Sequence, residues 1–154
     1  MATEIERRFL VQKLPEKLQQ YPHDFIRQGY LFDSSEGVVR IRQKGDNYYQ
    51  TIKKNGTLIR EELEFLLTAP QFERLWPMAS GQSLTKTRYY IREAGVTVEL
   101  DVFEGDLKPL VIAEVEFLDL HTCQKYEPSE WFDKEITEDF RYQNNQLAKF
   151  GKPE

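Results

Sequence analysis

Short segments in which apolar and charged residues alternate one by one run through most of this sequence, separated by turn residues. Residues 4–10, for example, place Glu4, Glu6 and Arg8 on one side and Ile5 and Phe9 on the other. A period of two residues is typical of β-strands whose two faces meet different surroundings. Similar segments lie at residues 25–32, 38–43, 48–53, 60–65, 85–91, 98–102 and 113–117. The pattern predicts about eight antiparallel strands, enough to close a small barrel.

Helices are predicted to be a minor part of the fold. Short helices are expected at residues 15–20, 70–76 and 118–125, with a turn and helix at residues 137–150. Thr68 and Thr137 are the predicted N-caps of the second and fourth of these, because their hydroxyls can accept from free amides of a first turn. The Gly45-Asp46-Asn47 and Asn55-Gly56 segments predict hairpin turns.

The alternation leaves two arrangements open for the charged face. It meets solvent around an apolar core, as on many antiparallel sheets, or it lines a hollow barrel whose apolar face is covered from outside. The charged positions are sorted by strand into like-charged pairs at i and i+2, which a solvated face does not require. They comprise the acids Glu4, Glu6, Glu62, Glu64, Glu99, Asp101, Glu114 and Glu116 and the bases Arg8, Arg40, Arg42, Lys53, Arg60, Lys86 and Arg88. The sorting favours the hollow barrel.

The spacing of these pairs suits one kind of ligand. Side chains two apart on a strand lie on one face, roughly 6.6 Å apart. Two carboxylates at that spacing can share hard cations, and two cationic groups can grip neighbouring phosphoryl groups. Charges buried without partners cost several kcal/mol each, so such a lining must be wet, paired or filled by ligand. The faces together indicate a cavity for a polyanion and its metal.

Length and composition narrow the class of protein. The 154 residues predict one domain, 1–154, with 40% hydrophobic residues for a core. A net charge of −5 argues against nucleic acid or a membrane surface as partner. The lone Cys123 excludes an internal disulfide, and His23 and His121 lack ligand spacing. With no signal-like or membrane-spanning segment in the sequence, we expect a cytoplasmic protein.

The segment Glu4-Ile5-Glu6-Arg7-Arg8 resembles the ExExK motif that opens the CYTH superfamily, also called triphosphate tunnel metalloenzymes. The similarity continues in order along almost the whole chain. The further matching segments are Arg40-Ile41-Arg42, Lys53, Glu62/Glu64, Lys86-Thr87-Arg88, residues 98–103, Glu114-Val115-Glu116-Phe117 and the tail from Lys134 to Leu147. The set is far more specific than ExExK alone.

The resemblance implies an eight-stranded antiparallel barrel enclosing a triphosphate tunnel, with magnesium or manganese as cofactor, and hydrolysis of inorganic triphosphate or a related triphosphate. It assigns metal binding to Glu4, Glu6, Asp101, Glu114 and Glu116. It assigns phosphate binding to Arg8, Arg40, Arg42, Lys53, Lys86 and Arg88. Glu62 and Glu64, with Arg60 and Glu99, would line the tunnel.

The catalytic set is expected among Glu4, Glu6, Lys86, Glu114 and Glu116, with Tyr30 as a further candidate. Packing is the commoner role for such a tyrosine. The general base stays open between Glu114, Glu116 and a lysine paired with Tyr30. Arg8 stands where the motif has lysine, which puts a planar fork in place of a point charge.

Two other functions remain open at this level. ATP cyclisation would use the same triphosphate grip and an adenine pocket, for which Trp76 and Trp131 are candidates, although their apolar neighbours favour core packing. A sensor that binds polyphosphate without turnover would lack a metal carboxylate, and none is missing. The apolar outer face, with few helices to cover it, is compatible with a homodimer.

Overall fold

The computed structural model describes residues 2–54 and 58–154, and these residues form a closed barrel of eight antiparallel strands. The strands are β1 (Ala2–Leu10), β2 (His23–Asp33), β3 (Gly37–Lys44), β4 (Asn47–Lys54), β5 (Ile59–Leu67), β6 (Ser83–Glu93), β7 (Val96–Phe103) and β8 (Val111–Glu116). Their order around the barrel is β1-β5-β4-β3-β2-β6-β7-β8. The predicted eight-stranded barrel is confirmed, and it is closed rather than an open cleft.

The β3–β4 hairpin shows how a predicted turn sets strand register. Lys44 pairs with Asn47, leaving Gly45 and Asp46 as the loop. Gly45 has a φ of 58°, which glycine adopts without the steric cost that a side chain brings. The other predicted hairpin turn, Asn55-Gly56, lies outside the described residues.

Three short α-helices accompany the barrel in the described part of the chain: α1 (Ala69–Leu75), α2 (Leu120–Lys125) and α3 (Asn144–Phe150). Thr68 caps α1 as predicted, since its side chain accepts from the amide of Gln71 while the Gln71 side chain accepts from the amide of Thr68. The helix expected at residues 15–20 is reduced to a 3-10 turn at Leu18–Gln20.

The predicted cap at Thr137 is wrong, and a competing partner explains why. The Thr137 hydroxyl accepts a hydrogen bond from the amide of Arg8 and donates one to Glu135. It therefore ties the tail to β1 instead of starting a helix. The segment forms a 3-10 turn at Phe140–Tyr142, capped by Asp139, and α3 begins only at Asn144.

The apolar core lies mostly outside the barrel wall and at one of its ends. One buried cluster covers the outer face of β6, β7 and β8 and includes Val98, Leu100 and Cys123. A second cluster closes one end, where Leu147 of α3 packs with barrel residues such as Phe103. The charged face is thus the inside of the barrel, as the sorted pairs predicted.

One close contact explains a glycine in β2. A Cβ atom at Gly29 would lie 2.5 Å from the Cβ of Ala79, which belongs to the 3-10 turn that follows α1. This turn can therefore pack directly on the strand only because position 29 has no side chain. None of the helices among residues 2–54 and 58–154 is long and apolar enough to cross a membrane.

Candidate active site

A charged cavity of about 230 Å³ occupies the barrel, and every strand contributes to its lining. The residues that line it are Glu4, Glu6, Arg8, Tyr30, Val38, Arg40, Arg42, Lys44, Lys53, Arg60, Glu62, Glu64, Arg88, Glu99, Glu114, Glu116, Gln143, Asn144 and Asn145. Fourteen of the sixteen predicted site residues are in this set. Alternation brings them together because one face of every strand points inward.

A wall of cations comes from β3. The guanidinium of Arg40 donates to the Thr51 hydroxyl at 3.2 Å, and that of Arg42 donates to the side-chain oxygen of Gln28 at 3.2 Å. Within the described ranges no carboxylate lies within 4 Å of Arg42, and Glu64 lies 3.9 Å from Arg40. Burial, with the charge of Arg40, lowers the pKa of Arg42 to about 10. Arg42 is thus a partly buried cation that no carboxylate of the described residues contacts.

A group of carboxylates lies opposite, where β1 meets β8. Glu6 pairs in register with Glu116, and the neighbouring pair is Arg8 with Glu114. Side chains at paired positions have Cβ atoms about 4.5–5.5 Å apart. Burial and the nearby charge of Glu114 raise the pKa of Glu6 to about 7, and burial and Glu4 raise the pKa of Glu116. These carboxylates repel one another, so this β1–β8 seam attracts a cation.

Part of the negative charge is balanced by ion pairs at the β1–β5 side. Glu4 lies 3.0 Å from Lys53 and 3.7 Å from Arg60, and Arg60 also pairs with Glu6. Against the opposing effect of burial, Lys53 and Arg60 hold the pKa of Glu4 at about 2. Burial and a hydrogen bond to Glu4 raise the pKa of Glu62 to about 7. Glu62 therefore adds negative charge beside Glu4 that Lys53, 3.8 Å from Glu62, neutralises only in part.

Two predicted site residues, Lys86 and Asp101, do not line the cavity. Both are fully buried, with the Lys86 ammonium donating to Asp101 at 2.7 Å and to the Asn144 side-chain oxygen at 3.0 Å. Arg88 donates twice to the same Asp101 carboxylate and reaches the cavity beyond it. Burial lowers the pKa of Lys86 to about 7, although Asp101 opposes the shift. In this arrangement Lys86 and Asp101 position Arg88, and their predicted direct roles stay predictions.

The tail supplies lining residues that the alternation could not reveal. Gln143, Asn144 and Asn145 lie at the start of α3, where no strand period applies, and Asn145 donates to Asp33 of β2. Arg8 donates to the carbonyl of Tyr142 at 2.8 Å and lies 3.4 Å from Glu114. The longer fork at the motif's lysine position therefore bridges the carboxylate seam to the tail.

The remaining candidates are Tyr30 and the two tryptophans, of which only Tyr30 faces the cavity. Tyr30 is buried, faces the cavity and accepts a hydrogen bond from Gln28 at 2.9 Å, while burial raises its pKa. Trp76 stacks on Phe72, and Trp131 packs edge-on to Phe132. Neither tryptophan lines the cavity, which confirms the packing role favoured for both.

The family model of the CYTH domain matches residues 2–150. This chain belongs to the CYTH family. A protein named inorganic triphosphatase from Nitrosomonas europaea is 45% identical over 149 residues, covering 95% of this chain and 97% of that protein. Another of that name from Acetivibrio thermocellus is 34% identical over 151 residues, covering 97% of this chain and 95% of that protein. A crystal structure of an inorganic triphosphatase superposes with a TM-score of 0.75 and 41% identity, covering 99% of both chains.

Family membership confirms the resemblance drawn from the ordered motifs. The strands that carry the CYTH motifs, β1, β3, β4, β5, β6, β7 and β8, all contribute inward residues to the cavity, and β2 adds Tyr30.

Proposed function

We propose that this CYTH protein hydrolyses inorganic triphosphate in the barrel cavity with the help of a divalent cation, magnesium or manganese. The observation that carries the proposal is the opposition of two walls. Arg40 and Arg42 of β3 face a strand, β8, that lies opposite in the barrel order and carries Glu114 and Glu116. The names of the two similar triphosphatases support it. One molecule of triphosphate and one of water would give orthophosphate and pyrophosphate.

The residues present fit a divalent cation by their chemistry. Magnesium and manganese favour carboxylate oxygens, and the seam offers Glu4, Glu6, Glu114 and Glu116. Burial and the charges of Glu114 and Glu4 raise the pKa of Glu6, and a bound cation would relieve this repulsion. No three acidic, histidine or cysteine side chains in the described part of the chain already converge on one point. Cation binding must therefore displace arginine or lysine partners from these carboxylates.

The arginines of the cavity would hold the substrate. Arg40 and Arg42 present planar forks that can bond two oxygens of a phosphoryl group at once. Arg88 is held in place by Asp101, so its charge reaches the cavity at a fixed position. A bound divalent cation would neutralise charge that develops on the phosphoryl oxygens. Substrate binding by several fixed cations thus lowers the barrier by positioning and by electrostatic stabilisation.

A carboxylate of the cavity that does not bind the cation would orient the attacking water and accept its proton. Glu114 and Glu116 both line the cavity and are the candidates for this role. Glu6 is assigned to the cation, which would lower the pKa that burial and Glu114 raise in the metal-free protein. Lys86 is buried outside the lining and does not reach the water.

Turnover should be measured as phosphate release from inorganic triphosphate, ATP and thiamine triphosphate, each with magnesium, manganese or EDTA. The variants are Arg42→Ala and Glu6→Gln, with Arg74→Ala as a control that removes an exposed arginine of α1. We expect metal-dependent release from inorganic triphosphate that both cavity variants lose and the control keeps, with circular dichroism showing intact folds.

The same experiment separates the alternatives. Cyclic AMP and pyrophosphate formed from ATP would indicate a cyclase. Tight triphosphate binding without release in any metal would indicate a sensor. The absence of both tryptophans from the lining removes the base platform that the cyclase hypothesis suggested.

A homodimer and a cytoplasmic location belong to the same proposal. Apolar side chains on the outer face of β4 and β5 support the dimer: Ile52, Leu63 and Phe65 are 40%, 38% and 50% exposed. Ile52 and Leu63 are paired across the two strands. Light scattering of the wild type and of Leu63→Glu tests the dimer, which the substitution should dissociate.

A further inference from the structure

Lys44 extends the cation wall of β3 beyond the two motif arginines. It follows Arg42 by two residues, as Arg42 follows Arg40, so all three side chains share the inward face and line the cavity. From the first to the third of these positions the strand spans roughly 13 Å, at about 3.3 Å per residue. Lys44 therefore lies at one end of a row of cations.

The end of the barrel at which Lys44 lies is the open one. The opposite end is closed by α3 and by the buried cluster around Leu147. At the Lys44 end, in contrast, the side chains of Leu66 and Glu116 are exposed, the former at 74%. Strand pairing places Lys44 just before the β3–β4 turn, at the rim of the barrel. A substrate entering from solvent at this end would meet Lys44 first.

An aromatic ring, and not a carboxylate, holds the Lys44 ammonium. Its Nζ lies 5.5 Å from the centre of the Tyr90 ring, and the Tyr90 hydroxyl donates to Asp24 at 2.9 Å. Among residues 2–54 and 58–154 no carboxylate oxygen lies within 4 Å of this ammonium. Asp24 and Tyr90 thereby position the lysine while leaving its charge free for an anion. Cation–π contacts of this kind are weak, so a phosphate can replace the ring as the partner of the ammonium.

We propose that Lys44 is a specificity-determining residue that binds the phosphate group of the substrate nearest the open end. The inference rests on the proposed triphosphatase function and adds a role for a residue outside the motifs. Arg40 and Arg42 would hold the deeper phosphates, and Lys44, a point charge on a flexible stem, would reach the outermost. A three-phosphate chain can engage the whole row, whereas a two-phosphate chain bound at the arginines cannot reach its end.

The test uses Lys44→Ala, Lys44→Arg and Lys54→Ala in the full-length protein. Lys54 is the matched control, because its exposed side chain lies on neighbouring β4 and pairs with Glu61 outside the cavity. The measurements are kcat and KM for inorganic triphosphate and the inhibition constant of pyrophosphate.

We expect Lys44→Ala to raise KM for triphosphate about tenfold, the value of one charge-assisted hydrogen bond. Its kcat and the pyrophosphate inhibition constant should stay near wild type. Lys44→Arg should recover most of the affinity, and Lys54→Ala should leave all three constants unchanged. An unchanged KM in Lys44→Ala, an equal weakening of pyrophosphate, or a loss confined to kcat would each overturn the assignment.

Calorimetry can measure the binding of inorganic triphosphate in EDTA, where no metal-dependent hydrolysis takes place. This measurement tests the binding role of Lys44 separately from the proposed catalytic function. Should the wild type hydrolyse nothing, the catalytic proposal fails while the binding role of Lys44 is still measured. Weaker binding by Lys44→Ala than by Lys54→Ala would then support the phosphate contact. Equal binding by the two variants would refute it.

Discussion

Replacing Glu6 with glutamine should make the protein more stable and less active at the same time. Glu6 is 3% exposed and lies among carboxylates, and its pKa is raised from 4.5 to about 7 by burial and by Glu114. A raised carboxyl pKa means that the folded protein holds this proton more tightly than the unfolded chain. The wild type must therefore lose stability as the pH rises from about 4.5 through 7.

The size of the effect follows from the shift. The shift of the Glu6 pKa from 4.5 to about 7 destabilises the folded wild type by about 3 kcal/mol above pH 7, because one pKa unit corresponds to about 1.4 kcal/mol. Glutamine keeps the shape of the side chain without the charge. Glu6→Gln should thus exceed the wild type by about 3 kcal/mol at pH 8 and by only about 1 kcal/mol at pH 5.

Urea unfolding followed by tryptophan fluorescence, in EDTA at both pH values, measures this difference. Glu130→Gln removes an exposed carboxylate away from the cavity. Its difference in stability from the wild type should be the same at both pH values. A Glu6→Gln variant that is less stable than the wild type at pH 8 would refute the reasoning. It would mean that the pair with Arg60 outweighs the repulsion from Glu114 and the cost of burial.

The remaining predictions concern the cation wall, its support and the metal. Arg42→Ala should raise KM for inorganic triphosphate by about ten- to a hundredfold, because a hydrogen bond from a charged group contributes about 1.5–3 kcal/mol. Steady-state kinetics measures this change, and an unchanged KM would contradict the prediction. Asp101→Asn should lower the free energy of unfolding by about 3–5 kcal/mol, because buried Lys86 loses its counter-ion and Arg88 loses the nearest of its carboxylates. Denaturant unfolding measures this loss, and a value below about 1 kcal/mol would contradict the prediction. Magnesium should raise the melting temperature of the wild type more at pH 8 than at pH 5, because at pH 5 protons compete with magnesium for the Glu6 carboxylate. Equal shifts of the melting temperature at the two pH values would contradict this prediction.

The strand pattern predicted the barrel and most of its lining because a period of two fixes which side chains point inward. Glu6, Arg42 and Glu114 were identified in this way, and Lys44 could have been, since it continues the alternation after Arg42. The same rule cannot tell whether an inward residue reaches the cavity. Lys86 and Asp101 have the right parity, yet they are buried against each other outside the lining.

The tail was less predictable, because its structure depends on contacts between distant residues. Thr137 has the sequence of a helix cap, but its hydroxyl is bound by the amide of Arg8, 129 positions away in the chain. Asn144 enters the cavity at the start of α3, where neither a period nor a charge singles it out. Such placements follow from tertiary packing and not from local propensity.

The central claim, that the two opposed walls bind and hydrolyse inorganic triphosphate, is tested most directly by phosphorus NMR of that compound with the protein and magnesium. The account predicts that the triphosphate signals disappear as orthophosphate and pyrophosphate appear in equal amounts, and that EDTA stops the reaction. Triphosphate signals that persist unchanged with folded wild-type protein and magnesium or manganese would contradict it.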